Sequence, residues 1–347
     1  MQRVYLDYNA TSPLRAEART AMIEAMDALG NPSSVHAEGR AAKSIVEKAR
    51  AQIADAVGAS GADIVFTSSA TEAAALALDG RSIMGAAVEH DAVRAYATSD
   101  LPVSKDGAVS VADPAKSTLQ LANSETGIMQ ELPQGLAVSD FTQAFGKVPV
   151  SFSWSGADMA LVSAHKLGGP KGVGALIVRQ GIDVTALIRG GGQEMGRRSG
   201  TENVIGIAGF GAAAAAAQRD LETGVWSRVE EFRNILEISL EALAKPIIFI
   251  GKGAPRLPNT SCFIAPGWKG ETQVMQMDLA GFAVSAGSAC SSGKVKASGV
   301  LTAMGFDEVA ASQALRVSIG PATTEEDVRR FAETWAAKYH KIRAKAA

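Results

Sequence analysis

The chain has 347 residues, more than one compact core usually holds, and its apolar fraction of 47% is that of a soluble globular protein. With 34 Lys and Arg against 36 Asp and Glu, its net charge of −2 argues against binding to nucleic acid or to an anionic membrane surface. No apolar run is long enough to span a bilayer, and the opening MQRVYLDYNATSP lacks the basic start and apolar stretch of a secretion signal. Two cysteines, Cys262 and Cys290, are too few for a disulfide scaffold, so a reducing, cytoplasmic setting is expected.

In chain order, residues 14–29 and 37–57 space their apolar residues as amphipathic helices, the first behind Ser12-Pro13 and the second ending at Gly58. A short strand at 64–67 runs into the polar Ser68-Ser69-Ala70-Thr71, and a helix from Glu72 to Leu78 follows. Further strands are expected at 83–88, 117–122, 136–139, 148–152, 159–163 and 174–178. This alternation predicts an α/β fold with a mostly parallel sheet wrapped by helices. The six alanines Ala212 to Ala217 lie in a helix near 204–219 and imply close helix packing. Beyond a helix at 225–244 come strands at 246–250, 259–264, 282–285 and 315–319, a helix at 306–314 and a last helix from 324. A domain boundary is placed near residue 220, giving a large domain over 12–220 and a smaller α+β domain over 221–347 joined by residues 1–11.

Several positions carry chemistry. Lys166 follows the apolar run Met159 to Val162 and opens a glycine-rich loop, where a desolvated amine becomes a nucleophile. Taken alone it also fits a surface loop. The GxxxxGK[ST] spacing of a nucleotide-binding loop is absent around Lys171. Asp140 ends a strand and can pair with a protonated ring nitrogen, with Gln143 three residues on, or it can cap the next helix. Ser69, Ala70 and Thr71 stand between strand and helix, an arrangement suited to an anion or to simple capping. His90 follows the strand at 83–88, and no histidine has paired metal-ligand spacing, so no metal site is expected. Cys290 sits in the small, polar loop Gly287 to Gly293, unlike Cys262 among apolar neighbours, and suits a reactive thiol. Arg316, inside a strand, offers a fork for a carboxylate or for a structural ion pair.

Together these blocks resemble the cysteine desulfurases of the NifS/IscS type, within the class V aminotransferase group of fold-type I pyridoxal-phosphate (PLP) enzymes. The resemblance rests on Tyr5 to Thr11, Gly30 to Ser34, Phe66 to Glu72, Glu89-His90, Asp140 to Gln143, Ser163 to Gly172, Gly190 to Glu194, Arg198 to Asn203, Pro258 to Thr260, Ser285 to Ser292 and Arg316 to Gly320. It implies a large domain built on a seven-stranded, mostly parallel sheet and a homodimer. It implies that Lys166 holds PLP covalently, Asp140 pairs with the pyridine nitrogen, Gln143 contacts the phenolic oxygen and His90 stacks on the ring. Ser69, Ala70, Thr71, Ser163 and His165 would surround the phosphate, with Thr201 supplied by the second subunit. Arg316, Ser124 and Asn9 would lie around the substrate, L-cysteine. Cys290 would take its sulfur as a persulfide, releasing alanine, and pass it to an acceptor such as an iron–sulfur scaffold protein. The loop from Ala286 to Gly293 is similar to that of the long-loop group, which delivers sulfur directly. Three positions depart from the pattern: Ala73 to Ala75 replace a Ser-Asp-Asn run, Ser124 an Asn, and Met195 an Arg. A lyase or transaminase acting on selenocysteine or another amino acid, and an inactive partner-binding relative, are the alternatives.

Overall fold

Short apolar runs become strands buried on both faces, and the helices between them cover those faces. The computed structural model describes residues 3–287 and 297–346. After a two-residue strand β1 (Val4–Tyr5) come helices α1 (Ala16–Met26) and α2 (Ala37–Ala56), strand β2 (Asp63–Thr67) and helix α3 (Ala70–Leu78). Strand β3 (Ile83–Ala86), the single turn α4 (Asp91–Arg94) and strand β4 (Ala97–Leu101) follow, then β5 (Thr118–Gln120), β6 (Leu136–Asp140), β7 (Ala157–Ser163), β8 (Gly174–Val178) and the long α5 (Val204–Glu222).

Five strands form one sheet in the order β2-β8-β7-β6-β5. Strands β5, β6 and β7 are mutually parallel, whereas β8 runs against both its neighbours. The parallel pair β3-β4 joins the β5 end through a bridge between Met84 and Ser117, which brings the layer to seven strands. On β7, Ala160 and Val162 enter one core with Ile64, Phe66 and Phe210, while Met159 and Leu161 enter the other with Val65, Leu76 and Leu176. Period-two alternation with both faces buried explains why these strands read as unbroken apolar runs. Helix α3 packs over β7 and β8, and α5 packs with α1 and α2. A Cβ on Gly211 would come 2.6 Å from the Cα of Ala49, so α5 and α2 touch backbone to backbone, as the alanine run predicted.

The strand expected at 148–152 is not formed. Pro149 lacks an N–H for a ladder, and a 3₁₀ turn occupies Phe152–Trp154. The seventh strand is instead β4, whose central Thr98, Ser99 and Asp100 are exposed and carry no apolar signal.

The second half opens with α6 (Val225–Leu243) and continues through β9 (Ile248–Phe249), β10 (Thr260–Ile264), α7 (Gly270–Leu279), β11 (Phe282–Ala283) and β12 (Ser285–Ala286). It closes with α8 (Gly299–Ala303), α9 (Glu308–Ala311), β13 (Ala314–Ser318) and α10 (Glu325–Ala346). Its antiparallel sheet has the order β12-β13-β10-β9, and β1 pairs in parallel with β11. Phe263, Trp268, Phe331, Trp335 and Tyr339 dominate a separate core, their rings 5.0–6.1 Å apart where they meet. The helix expected at 306–314 shrinks to α9, because Ala314 is already in β13. Helices α7 and α8 were not expected. The buried face of α7 is Gly270, Gln273 and Met277, and a glutamine at its centre breaks the apolar stripe. That amide is satisfied, donating to the Trp268 carbonyl at 2.8 Å and accepting from Trp335 Nε1 at 3.0 Å. No helix among the described residues is long and apolar enough to cross a membrane.

Candidate active site

Strands β2, β5, β6 and β7 point their C-terminal ends the same way, and a cavity of about 210 Å³ opens there. In α/β sheets this is where ligands settle. Ser69, Ala70, Thr71, His90, Ser124, Asp140, Gln143, Ser163, His165 and Lys166 all line it. Ten residues, drawn from four separately weak signals and from the resemblance, therefore lie around one cavity.

Each is held by its local backbone. Ser69 caps α3, accepting from the Glu72 N–H at 3.4 Å, so the first turn of that helix faces the cavity with Ala70 and Thr71. His90 caps α4 through Nδ1, which accepts from the Ala92 N–H at 3.1 Å. Asp140, the last residue of β6, accepts from the Thr142 N–H at 2.8 Å. Ser69 and His90 thus cap helices and Asp140 closes a turn onto Thr142, and each of these bonds holds in place a side chain that lines the cavity. Lys166 ends the 3₁₀ turn that follows β7 and donates to the carbonyls of Asn9 at 2.7 Å and Ala10 at 2.9 Å. His165 meets Thr11 Oγ1 at 3.1 Å. Burial, followed by the neighbouring cations Lys166, Lys171 and Lys147, lowers its pKa to about 4. It is a neutral hydrogen-bonding group at pH 7.

Arg316 and Asn9 do not line the cavity but stand directly behind it. The Ser124 carbonyl accepts from Arg316 Nη1 at 3.0 Å and from Asn9 Nδ2 at 3.2 Å. Arg316 also pairs with Asp7 at 2.7 Å, and its buried Nε has no partner among the described residues. Thr201 is not brought to the cavity: it is exposed, in a neighbouring groove with Thr67, Ser68 and Arg198. Cys290 lies outside the described residues. The other cysteine, Cys262, is buried in β10, where burial raises its thiol pKa well above the usual value.

The family described as aminotransferase class-V matches residues 4–99 and 114–331. The chain belongs to the class-V aminotransferases. The cysteine desulfurase IscS of Dictyoglomus turgidum is 36% identical over 363 residues, covering 94% of this chain and 92% of the relative. A cysteine desulfurase of Cereibacter sphaeroides is 39% identical over 371 residues, covering 96% of this chain and 95% of its own. The X-ray structure of a NifS-like protein from Rickettsia africae ESF-5 matches with a TM-score of 0.88 at 31% identity, covering 98% of this chain and 100% of its own.

Around the cavity, this class-V aminotransferase has further buried polar groups that its sequence did not single out. Thr142 Oγ1 is buried without a partner among the described residues although Thr142 lines the cavity. Lys147 is fully buried and bonded to Gln143 and Asn9. Its one sequence signal is a lysine amid the apolar Phe145-Gly-Lys-Val-Pro-Val stretch. Glu89 is buried beside His90. One of its carboxyl oxygens accepts from the Gln120 N–H at 2.7 Å and the other has no partner among the described residues.

Burial, and then the charge of Asp140, raises the pKa of Glu89 to about 8 from an ordinary 4.5. The folded protein therefore keeps a proton that the unfolded chain releases between those values. Stability must fall as pH rises through that window. Glu89→Gln is expected to flatten this decline, measured as the urea-unfolding free energy at pH 5 and pH 8. The same decline in both proteins would remove Glu89 as its source.

Proposed function

We propose that this protein is a cysteine desulfurase, which takes sulfur from L-cysteine using PLP, leaving L-alanine and a persulfide on Cys290. The observation that carries the proposal is one cavity with Lys166, Asp140 and Gln143 on its walls and a helix start at Ser69 to Thr71 beside it. The relatives named cysteine desulfurase over more than nine-tenths of the chain support it.

The residues present fit PLP. Ser69, Thr71 and Ser163 are hydroxyl donors suited to a phosphate, the first two at the start of α3, and Asp140 supplies a carboxylate for a pyridine nitrogen. The Thr142 hydroxyl, buried without a partner among the described residues, is a further group the cofactor could engage. PLP bound here would supply an electron sink for the negative charge left when the substrate Cα–H bond breaks. Lys166 would hold the cofactor covalently and, once substrate displaces it, carry the Cα proton on its amine. Asp140 would keep the ring nitrogen protonated, and Gln143 would donate to the phenolic oxygen. His165, neutral, would give the phosphate a hydrogen bond rather than a charge. His90 would cover the ring. Arg316 would turn towards the substrate carboxylate behind Ser124, with Asn9 between them.

The same reading gives a homodimer in the cytoplasm, with Thr201 of the partner subunit completing the phosphate site and an acceptor protein receiving the sulfur. It also divides the chain near residue 220, as the separate cores on either side support. The test is alanine release from L-cysteine by PLP-loaded protein in the presence of a reductant. Stoichiometric or catalytic alanine is expected. Bound PLP with no alanine from cysteine, but turnover of another amino acid, would overturn the assignment of substrate.

A further inference from the structure

Lys147 is 1% exposed, and burial, with Lys166 and Arg316 close by, pushes its amine well below the usual lysine range. Lysines are almost never buried so completely unless they are needed there. Its partners are two amide oxygens, Gln143 Oε1 at 2.6 Å and Asn9 Oδ1 at 2.9 Å. The two ends of an amide are alike in shape, so a side-chain amide is oriented only by what faces it. A charged lysine only donates. The groups that face Lys147 in the structure are accordingly both oxygens.

This has a consequence at each amide. For Gln143 it turns Nε2 the other way, where one N–H donates to the Asn9 carbonyl at 3.0 Å and the second is left for the cavity that Gln143 lines. For Asn9, whose Oδ1 also accepts from Asn259 Nδ2 at 3.0 Å, it turns Nδ2 towards Thr260 Oγ1 at 2.8 Å and the Ser124 carbonyl at 3.2 Å. The Asn9 carbonyl in turn accepts from Lys166.

We propose that Lys147 is a positioning residue that fixes the amide of Gln143 with its N–H end towards the cofactor and holds Asn9 against Lys166. With the amide reversed, an oxygen would face the phenolic oxygen of PLP, acceptor against acceptor. The proposal rests on the reading of Gln143 as the partner of that oxygen.

The experiment is a double-mutant cycle on PLP binding. Wild type, Lys147→Met, Gln143→Leu and the double variant are stripped of cofactor and titrated with PLP, recording the affinity and the absorbance band of the bound form. Lys147→Met is expected to weaken binding about tenfold, the value of one hydrogen bond to a charged group, and to move the band in the same direction as Gln143→Leu. In the Gln143→Leu background it is expected to add no more than about twofold. Multiplicative losses, or a Lys147→Met band identical to wild type, would overturn the proposal. If Lys147→Met does not fold, Lys147→Gln takes its place in the same cycle with the same non-additivity expected. A wild type that takes up no PLP would overturn the functional reading itself, which separates the two failures.

Discussion

Replacing Cys290 with Ala is expected to lower alanine release from L-cysteine by at least about a thousandfold, with PLP still bound. The reaction needs a thiolate to attack the substrate sulfur: a new S–S bond forms as the bond from that sulfur to carbon breaks, and the proton from Cα or solvent completes alanine. Alanine at position 290 has no electron pair to offer. The second thiol cannot stand in, because Cys262 lies within β10, fully buried, its pKa driven up by that burial. A thiol there is protonated and out of reach. The measurement is alanine by chromatography, alongside the absorbance of bound cofactor, for wild type, Cys290→Ala and Cys290→Ser. Undiminished alanine from Cys290→Ala would mean that the sulfur leaves by a route that does not use Cys290, as in a lyase of another kind.

Lys166→Ala is expected to lose covalent PLP and at least about 10⁴-fold in turnover, with little change in stability. Two roles end at once, the attachment and the proton transfer. Its amine donates to the Asn9 and Ala10 carbonyls at the cavity edge, which a water can satisfy in its place. A loss of no more than about 1 kcal/mol is therefore expected in urea unfolding. Lys166→Arg should fail equally, since a guanidinium keeps the charge but neither loses a proton nor attacks a carbonyl. Mass spectrometry after borohydride reduction reads the attachment directly: a PLP adduct on wild type and none on either variant. An adduct on the Ala variant would place the attachment elsewhere, with Lys147 the nearest buried amine.

The parts of the fold that were legible before the structure are those where burial writes itself into residue type. Strands β2, β6, β7 and β8 are buried on both faces and appear as apolar runs, and helices α2 and α6 show their stripes. Strand β4 escaped because an edge strand with exposed Thr, Ser and Asp is held by its backbone, which composition does not report. Helix α7 escaped because its core contact is made by a hydrogen-bonded glutamine.

In the site, the residues found were those at strand ends and helix starts, where a polar residue interrupts an apolar run. Lys147 and Glu89 were missed for the opposite reason. Two of their partners, Asn9 and Gln120, are brought close only by the folded chain, across 138 and 31 positions in sequence. Of the two readings open for Arg316, the structure shows the ion pair: its fork holds Asp7 and the Ser124 carbonyl, and its Nε has no partner among the described residues.

Helix α5 carries a different kind of information. Its plainest residues set a distance: where Gly211 meets Ala49, and where a Cβ on Gly209 would come 2.6 Å from Met22 Cγ, the spacing of three helices is decided by atoms that are not there. The pocket floor inherits that tolerance, because α5 also packs beside the turn that presents Lys166. A methyl group added twenty residues or more away along the chain would reach the active site as a shift of the backbone, with no charge altered and no contact to the ligand. Size, more than polarity, is the currency in which this part of the enzyme can be mistuned.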